Sequence, residues 1–412
     1  MLYSRKILEN IQKWFFEKEI IILNGPRQVG KTSLLKLIRK KLLGQSVSEE
    51  NIFYLNLEEI NILSDLNDNP ENLLKYITDN DNKNYFFIDE IQYLDNPSNF
   101  LKHLFDKYSD RIKIIATGSS SLELKAQLQD SLVGRKVSFL IRPLCFEEFL
   151  EFKESNYTKY LHQEDIPLNI KEEFNKGLEE YLIFGGMPAV VLQEDYELKG
   201  KMLREYVGTY INKDVRSIGK IDNISQFNAT LKILSSQIGN LLSVSELSNT
   251  VDIPRRETED YIEILEHTFV LDKINSYHNN VRKQIKKMPK VYFFDIGIRN
   301  AILNNFLPIE SRQDKGSLFE NFVFLELKND KGNEIFFYRT ISKSEIDFIV
   351  IKTETIQAIE VKYRKLKKSI DSRVLRGLDI KNKKKEMFVI NRNLIDFADG
   401  VRYIDYRNIS NL

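Results

Sequence analysis

Residues 20–35 read IIILNGPRQVGKTSLL, and the fold turns on how that stretch is read. Ile20, Ile21, Ile22 and Leu23 form an apolar, mostly β-branched run, the composition of a strand buried on both faces. From Ser33 the pattern Ser33-Leu34-Leu35-Lys36-Leu37-Ile38 has helical spacing. Between strand and helix stand Gly25, Pro26, Arg27, Gln28, Val29, Gly30, Lys31 and Thr32, which is glycine, four residues, then Gly-Lys-Thr. That is the phosphate-loop pattern in the strand-to-helix context it requires. Gly25 and Gly30 permit backbone angles and a close approach that a side chain would block. Successive backbone N–H groups then surround phosphate oxygens, and the helix start, with Ser33 in its first turn, adds partial positive charge. Lys31 is expected to place its charge on the β- and γ-phosphates, and Thr32 its hydroxyl on Mg²⁺. ATP and Mg²⁺ are therefore the expected ligands.

A chain of 412 residues is too long for one core, so several domains are expected. Its hydrophobic fraction of 42% and charged fraction of 29% suit a water-soluble globular protein. No apolar run approaches the ~18 residues of a membrane span. The start, MLYSRKILENIQKW, lacks the apolar stretch of a signal peptide. The single cysteine, Cys145, lies between Leu144 and Phe146 and reads as a small buried hydrophobe, leaving no disulfide framework and no cysteine-built zinc site. A cytoplasmic location follows as an expectation, with no membrane partner. The net charge of +1 is unevenly spread: residues 49–95 are acidic, while residues 273–290 and 362–385 are rich in Lys and Arg. The basic stretches suit either a nucleic-acid surface or an ordinary solvated face.

Taken in order, residues 5–16 have amphipathic helical spacing, a helix follows the loop to about Leu43, residues 52–57 read as a strand, and residues 58–81 read as acidic and helical. Tyr85-Phe86-Phe87-Ile88-Asp89-Glu90 is a buried strand whose acids emerge at its C-terminal edge, where open α/β sheets bind ligands. Asp89 is expected to hold Mg²⁺, directly or through water, and Glu90 to orient and polarise the attacking water. The strand at residues 112–117 ends in Gly118-Ser119-Ser120-Ser121. Ser119 is the first candidate to touch the γ-phosphate or the water, with Thr117 and Ser120 next; an N-cap for a helix starting at Leu122 is the competing role. Arg135 precedes the last strand, residues 136–141. It is placed either to reach a γ-phosphate, in cis or on a neighbouring subunit of a homo-oligomer, or to make a surface ion pair.

Together GPRQVGKT, YFFIDEIQ, IIATGSS and GRKVSFLIRPLCFEEF resemble the prokaryotic AAA+-type P-loop ATPases of the archaeal ATPase-like clade, over residues 1–155. The resemblance implies ATP hydrolysis. One departure is that the sensor strand ends in serines where many AAA+ proteins use Asn. It also implies a helical lid over residues 156–225, closing on the nucleotide. There a Tyr-Leu-x-x-Gly-Gly-x-Pro pattern ends a helix at Gly185-Gly186, either as a hinge or as an ordinary cap.

Residues 226–288 read as three short helices and a strand, the pattern of a winged helix-turn-helix. Arg255, Arg256 and Thr258 start the third helix, and residues 279–290 would form a basic wing that meets phosphates; packing against neighbours alone is the other reading. In residues 289–412, Asp347 starts one strand, Glu360 and Lys362 share a face of the next, and Glu320 sits on a preceding helix. Converging, they would hold a metal that cuts phosphodiesters. This pattern resembles the restriction-endonuclease-like superfamily and the C-terminal domain usually fused to this ATPase family. The expected architecture is α/β: a P-loop AAA+ core, a helical lid, a winged helix-turn-helix and a restriction-endonuclease-like α/β domain. The expected function is an ATPase acting on nucleic acid, DNA first, with a metal-dependent nuclease-like domain. The alternative is an ATP-controlled switch that binds DNA or protein without cleavage.

Overall fold

The computed structural model describes residues 2–77, 82–118, 132–216, 219, 221–278, 287–329, 333–340, 344–378 and 383–412. The chain divides into two compact units, one of residues 1–142 with 267–269, the other of residues 143–266 and 270–412. Among the described residues no helix is long and apolar enough to cross a membrane.

The first unit contains α1 (Ile7–Gln12), β1 (Ile20–Asn24), α2 (Lys31–Leu43), β2 (Ile52–Asn56), α3 (Ile60–Asp68), β3 (Asn84–Asp89), α4 (Pro97–Tyr108), β4 (Ile112–Gly118) and β5 (Lys136–Leu140). Its five strands run in the order β2-β3-β4-β1-β5, all parallel. The central strands are the continuous apolar runs, because a parallel sheet covered on both faces leaves no polar side. Ile20, Ile22, Phe86, Ile88, Ile114 and Ala116 meet Phe100, Leu101 and Leu104 of α4 in one core. The register sets Asn24 level with Gly118, and Ile88 level with Ala116. The ends of β1, β3 and β4 therefore reach one sheet edge together. The acidic helix expected over residues 58–81 stops at Asp68. Asn69 is extended there, its side chain accepts the Glu71 N–H, and Pro70 opens a separate 3₁₀ segment (Pro70–Tyr76).

The second unit begins at Pro143. It contains α5 (Phe146–Phe152), α6 (Leu168–Phe184), α7 (Pro188–Leu192), α8 (Tyr196–Tyr206), a π-helical continuation (Val207–Val215), α9 (Ile224–Ser236), α10 (Val244–Val251), α11 (Arg255–His267), β6 (Leu271–Ile274), β7 (Lys290–Phe293), α12 (Ile296–Ile302) and α13 (Lys315–Asn329). Then come β8 (Glu334–Arg339), β9 (Glu345–Ile351), β10 (Thr355–Val361), α14 (Arg373–Gly377), β11 (Lys384–Asn391), β12 (Asp396–Ala398) and β13 (Val401–Asp405). The last six strands form a mixed sheet in the order β12-β13-β11-β10-β9-β8.

The expected lid is not a separate body. Helix α6 ends at Gly185, φ 73°, and the next turn is locked against the start of α12. The buried Asp295 carboxylate accepts the N–H of Gly186 at 2.8 Å and of Ile298 at 2.9 Å. Asn300 Nδ2 donates to the carbonyls of Leu182 at 3.0 Å and Ile183 at 2.8 Å, satisfying the end of α6. A Cβ on Gly185 would overlap Asp295, one on Gly186 the Leu144 carbonyl, and one on Gly297 the Phe184 carbonyl. The Gly-Gly pair is thus a crowded crossing rather than a hinge. Burial pushes the Asp295 carboxyl up to about 6, against the opposing pull of its N–H donors.

Helices α9, α10 and α11 precede the antiparallel pair β6–β7, with a bridge from Leu241 to Lys290. The chain leaving β6 joins the mixed sheet, since Phe337 N–H donates to Asn275 O at 3.1 Å and Tyr277 N–H to Phe337 O at 2.6 Å. This module is therefore hydrogen-bonded to β8 instead of standing free.

Gly297→Ala is expected to cost about 3 kcal/mol or more in urea unfolding, because backbone on both sides blocks the methyl. Gly316→Ala, with open space around its Cβ, is expected to be neutral or stabilising by about 0.5 kcal/mol. Equal effects of the two would contradict the crossing.

Candidate functional site

The phosphate-loop stretch leaves β1 at Asn24 and enters α2 at Lys31. Gly25 passes so close to β5 that a Cβ would lie 2.5 Å from Ile141 O, where Ile141 N–H donates to Asn24 O at 2.7 Å. Gly30 caps α2 with φ 92°, and Gln28 also has positive φ, 63°. These angles turn the chain back over the helix start, where backbone N–H groups collect. Arg27, Gln28, Thr32 and Ser33 are exposed, while Pro26, Val29 and Lys31 are buried.

Lys31 Nζ donates to the carbonyls of Gly25 at 3.0 Å and Pro26 at 2.9 Å. Burial lowers its pKa, while the charges of Glu90 and Asp89 oppose the drop. Behind the loop stands a residue the sequence reading passed over. Arg5 is buried, and its guanidinium donates to Val29 O at 3.0 Å and to Arg142 O at 2.7 Å. It ties a loop carbonyl back to the start of the chain. No local signal marks it, because its partners are 24 and 137 positions away.

Asp89, at the end of β3, is 4% exposed. Its Oδ2 accepts from Thr32 Oγ1 at 2.9 Å and from the Tyr54 hydroxyl at 2.6 Å, and its Oδ1 accepts from the buried Thr117 hydroxyl. Thr117 Oγ1 in turn accepts the Glu90 N–H at 2.9 Å. Thr117, a secondary candidate for the γ-phosphate, is instead spent on the acid pair. Glu90 sits in the left-handed region, φ 61° and ψ 52°, uncommon for a side chain of this size. Its carboxylate accepts from Gln92 Nε2. Thr32 and Asp89 suit Mg²⁺, a hard cation taking oxygen ligands. Ser119 and Ser120 lie outside the described residues.

Arg135 lies at the other end of the sheet. β5 pairs with β1 from Lys136 beside Ile20 to Leu140 beside Asn24, so about 16 Å of strand separates Arg135 from the loop. It makes a two-pronged ion pair with Asp106 at 2.6 and 3.2 Å. This placement removes the cis role.

In the second unit the β9–β10 register brings Asp347 beside Glu360, and Asp347 Oδ2 accepts the Val361 N–H at 2.7 Å. The expected metal-holding set does not follow. Glu360 pairs with Lys362 at 2.7 Å. Glu320 accepts from Lys290 at 3.0 Å and from Tyr292 at 2.6 Å. Lys290, expected at the end of a basic wing that meets phosphates, is 2% exposed and also pairs with Glu345 at 2.5 Å. Burial works to lower the Lys290 amine, but Glu320, Asp347 and Glu345 outweigh it and keep the amine charged. Burial and the nearby Glu320 push the Asp347 carboxyl up to about 7, with Lys290 opposing. The cluster thus sets two lysines among four acids, with Glu320 and Glu345 bonded to Lys290 and Glu360 to Lys362. Among the described residues no group of three or more His, Cys, Asp or Glu is placed to hold a metal.

The expected base-reading helix is also differently disposed. In α11, Thr258 is buried and bonded to Pro254 O at 3.3 Å, and Arg255 pairs with Glu259 at 2.9 Å. The helix sequence, RRETEDYIEILEH, sets five acids against two arginines, a charge that phosphates repel. Residues 279–286 of the expected wing lie outside the described residues.

Residues 17–150 match the family described as "AAA domain". Residues 175–308 and 315–408 match two families described as "Domain of unknown function", DUF8612 and DUF4143. Residues 17–150 are thus similar to an AAA domain, and the two regions after them to families described without a function. "Uncharacterized protein MJ1544" of Methanocaldococcus jannaschii is 28% identical over 404 residues, 96% of this chain and 86% of its own length. An uncharacterized protein of Haemophilus influenzae is 28% identical over 351 residues, 84% of this chain and 82% of its own. Among solved structures, the Walker-type ATPase PABY2304 of Pyrococcus abyssi superposes with a TM-score of 0.47 at 14% identity, over 73% of this chain and 96% of that one. The two sequence relatives match across both units.

Arg5→Ala is expected to weaken ATP binding about tenfold in a calorimetric titration, since two buried carbonyls lose their donor. Unchanged affinity would show that Arg5 does not shape the loop.

Proposed function

We propose that this protein binds ATP with Mg²⁺ and hydrolyses it to ADP and phosphate in its N-terminal unit. The supporting observation is the 2.9 Å contact from Thr32, in the first helical turn after the loop, to Asp89 at the end of β3. It brings the phosphate-binding segment and the acid strand to one point. In this reading the loop N–H groups and the start of α2 hold the phosphates. Lys31 leaves the Gly25 and Pro26 carbonyls for the β- and γ-phosphates. Thr32 and Asp89 hold Mg²⁺, which neutralises phosphate charge. Glu90, steadied by Gln92, orients the attacking water and takes its proton. Arg135 keeps one role, reaching a neighbouring copy in a homo-oligomer after releasing Asp106.

For the second unit we favour the switch without strand cleavage, because lysines are bonded to Glu320, Glu345 and Glu360 beside Asp347. Nucleic acid remains the proposed partner, on a surface other than α11. Arg364, Lys365, Lys367 and Lys368 are all exposed just after Lys362, and phosphate backbones suit such a run.

Phosphate release separates the roles in the N-terminal unit. Lys31→Ala is expected to abolish tight ATP binding, and Glu90→Gln to bind ATP yet lose hydrolysis by about 100-fold. Full turnover in Glu90→Gln would refute the role given to that carboxylate. For the second unit, reversing all four basic residues to Glu is expected to remove salt-dependent DNA retardation, or to lower its salt slope by about 3. Unaltered retardation would place the surface elsewhere.

A further inference from the structure

We infer that Tyr54 is a positioning residue for Asp89, fixing how that carboxylate meets Mg²⁺; the inference rests on the ATP reading of the site. β2 is the edge strand of the first sheet, and Phe53 and Leu55 on either side of Tyr54 belong to the core or pack against it. Tyr54 does neither, being 47% exposed. Packing therefore does not account for a large aromatic here. Its hydroxyl accounts for it, reaching across to Asp89 Oδ2 at 2.6 Å, on the strand that pairs with β2.

A carboxylate has about four acceptor positions. Thr117 takes one on Oδ1, and Thr32 and Tyr54 take two on Oδ2. Roughly one remains, aimed where the other donors leave room. Such a carboxylate suits holding a metal-bound water better than gripping the ion with both oxygens. Thr32 and Thr117 come from segments that the phosphate loop and the sheet already place. Tyr54 is the donor that the sheet edge adds, and without it Thr32 alone holds Oδ2. Partners standing behind a metal ligand in this way commonly change metal affinity by about 10-fold or more when removed.

The test uses the full chain and follows ATP binding and phosphate release while Mg²⁺ is titrated. Tyr54→Phe removes one oxygen and keeps the ring. It is expected to raise the Mg²⁺ concentration for half-maximal hydrolysis about tenfold, and to leave ATP affinity in EDTA unchanged. Phe53→Leu perturbs the same strand through its 5.0 Å stack on Phe86; it is expected to lower the melting temperature and leave the Mg²⁺ midpoint in place. A Tyr54→Phe midpoint equal to wild type overturns the assignment, as does an equal shift in Phe53→Leu, which would mean general loosening of the strand. No Mg²⁺-dependent ATP binding by the wild-type chain would overturn the ATP reading itself, a result distinct from either.

Discussion

The first unit depends on one hydroxyl-to-carboxylate contact, Thr32 to Asp89, between residues 57 positions apart. It forms only if β1 and β3 end at the same sheet edge with α2 starting beside them. The order β2-β3-β4-β1-β5 does this by setting β4 between the two, with every strand parallel. Around the contact the chain supplies fixed donors. Arg5 braces the loop from behind, Thr117 ties Asp89 to the Glu90 backbone, and Gln92 holds the Glu90 side chain. A polar cluster this buried is stable because nearly every lone pair is used, and the same saturation orients its acids.

The second unit is held by a different kind of constraint, backbone meeting backbone where no side chain fits. Gly185 and Gly297 allow the end of α6 and the start of α12 to cross, and Asp295 bridges them. Beyond the crossing, Lys290 gathers Glu320 and Glu345 in a buried ion cluster. Removing one member of such a cluster strands the others, so it acts as a joint among β7, α13 and β9. The order of acidic and basic residues along these strands resembles a metal-dependent cutting site, but here three of the four acids are bonded to lysines.

What the sequence made legible was the part governed by local rules. β1, β3 and β4 stood out because strands buried on both faces must be continuously apolar. The loop stood out because phosphate binding needs glycine and lysine at set spacing. What stayed hidden depends on distant partners. Tyr54 reads as one more aromatic in a strand until its neighbour strand is in register. Arg5 reads as a charge on an amphipathic helix. Gly185-Gly186 admits a hinge until Asp295 and Gly297, more than a hundred positions later, fill the space around it. Residue type alone puts Lys290 on a phosphate-meeting wing and Thr258 on a base-reading helix end, yet both side chains are buried.

Nucleotide binding at this site requires main-chain amides of the loop to grip a triphosphate beside the Thr32–Asp89 pair. Amide hydrogen exchange over residues 27–32, with and without saturating ATP and Mg²⁺, measures this directly. Strong slowing confined to that segment and its flanking strand ends is the result the account requires. Exchange unchanged by nucleotide at those amides, in a chain that is otherwise folded, would contradict it.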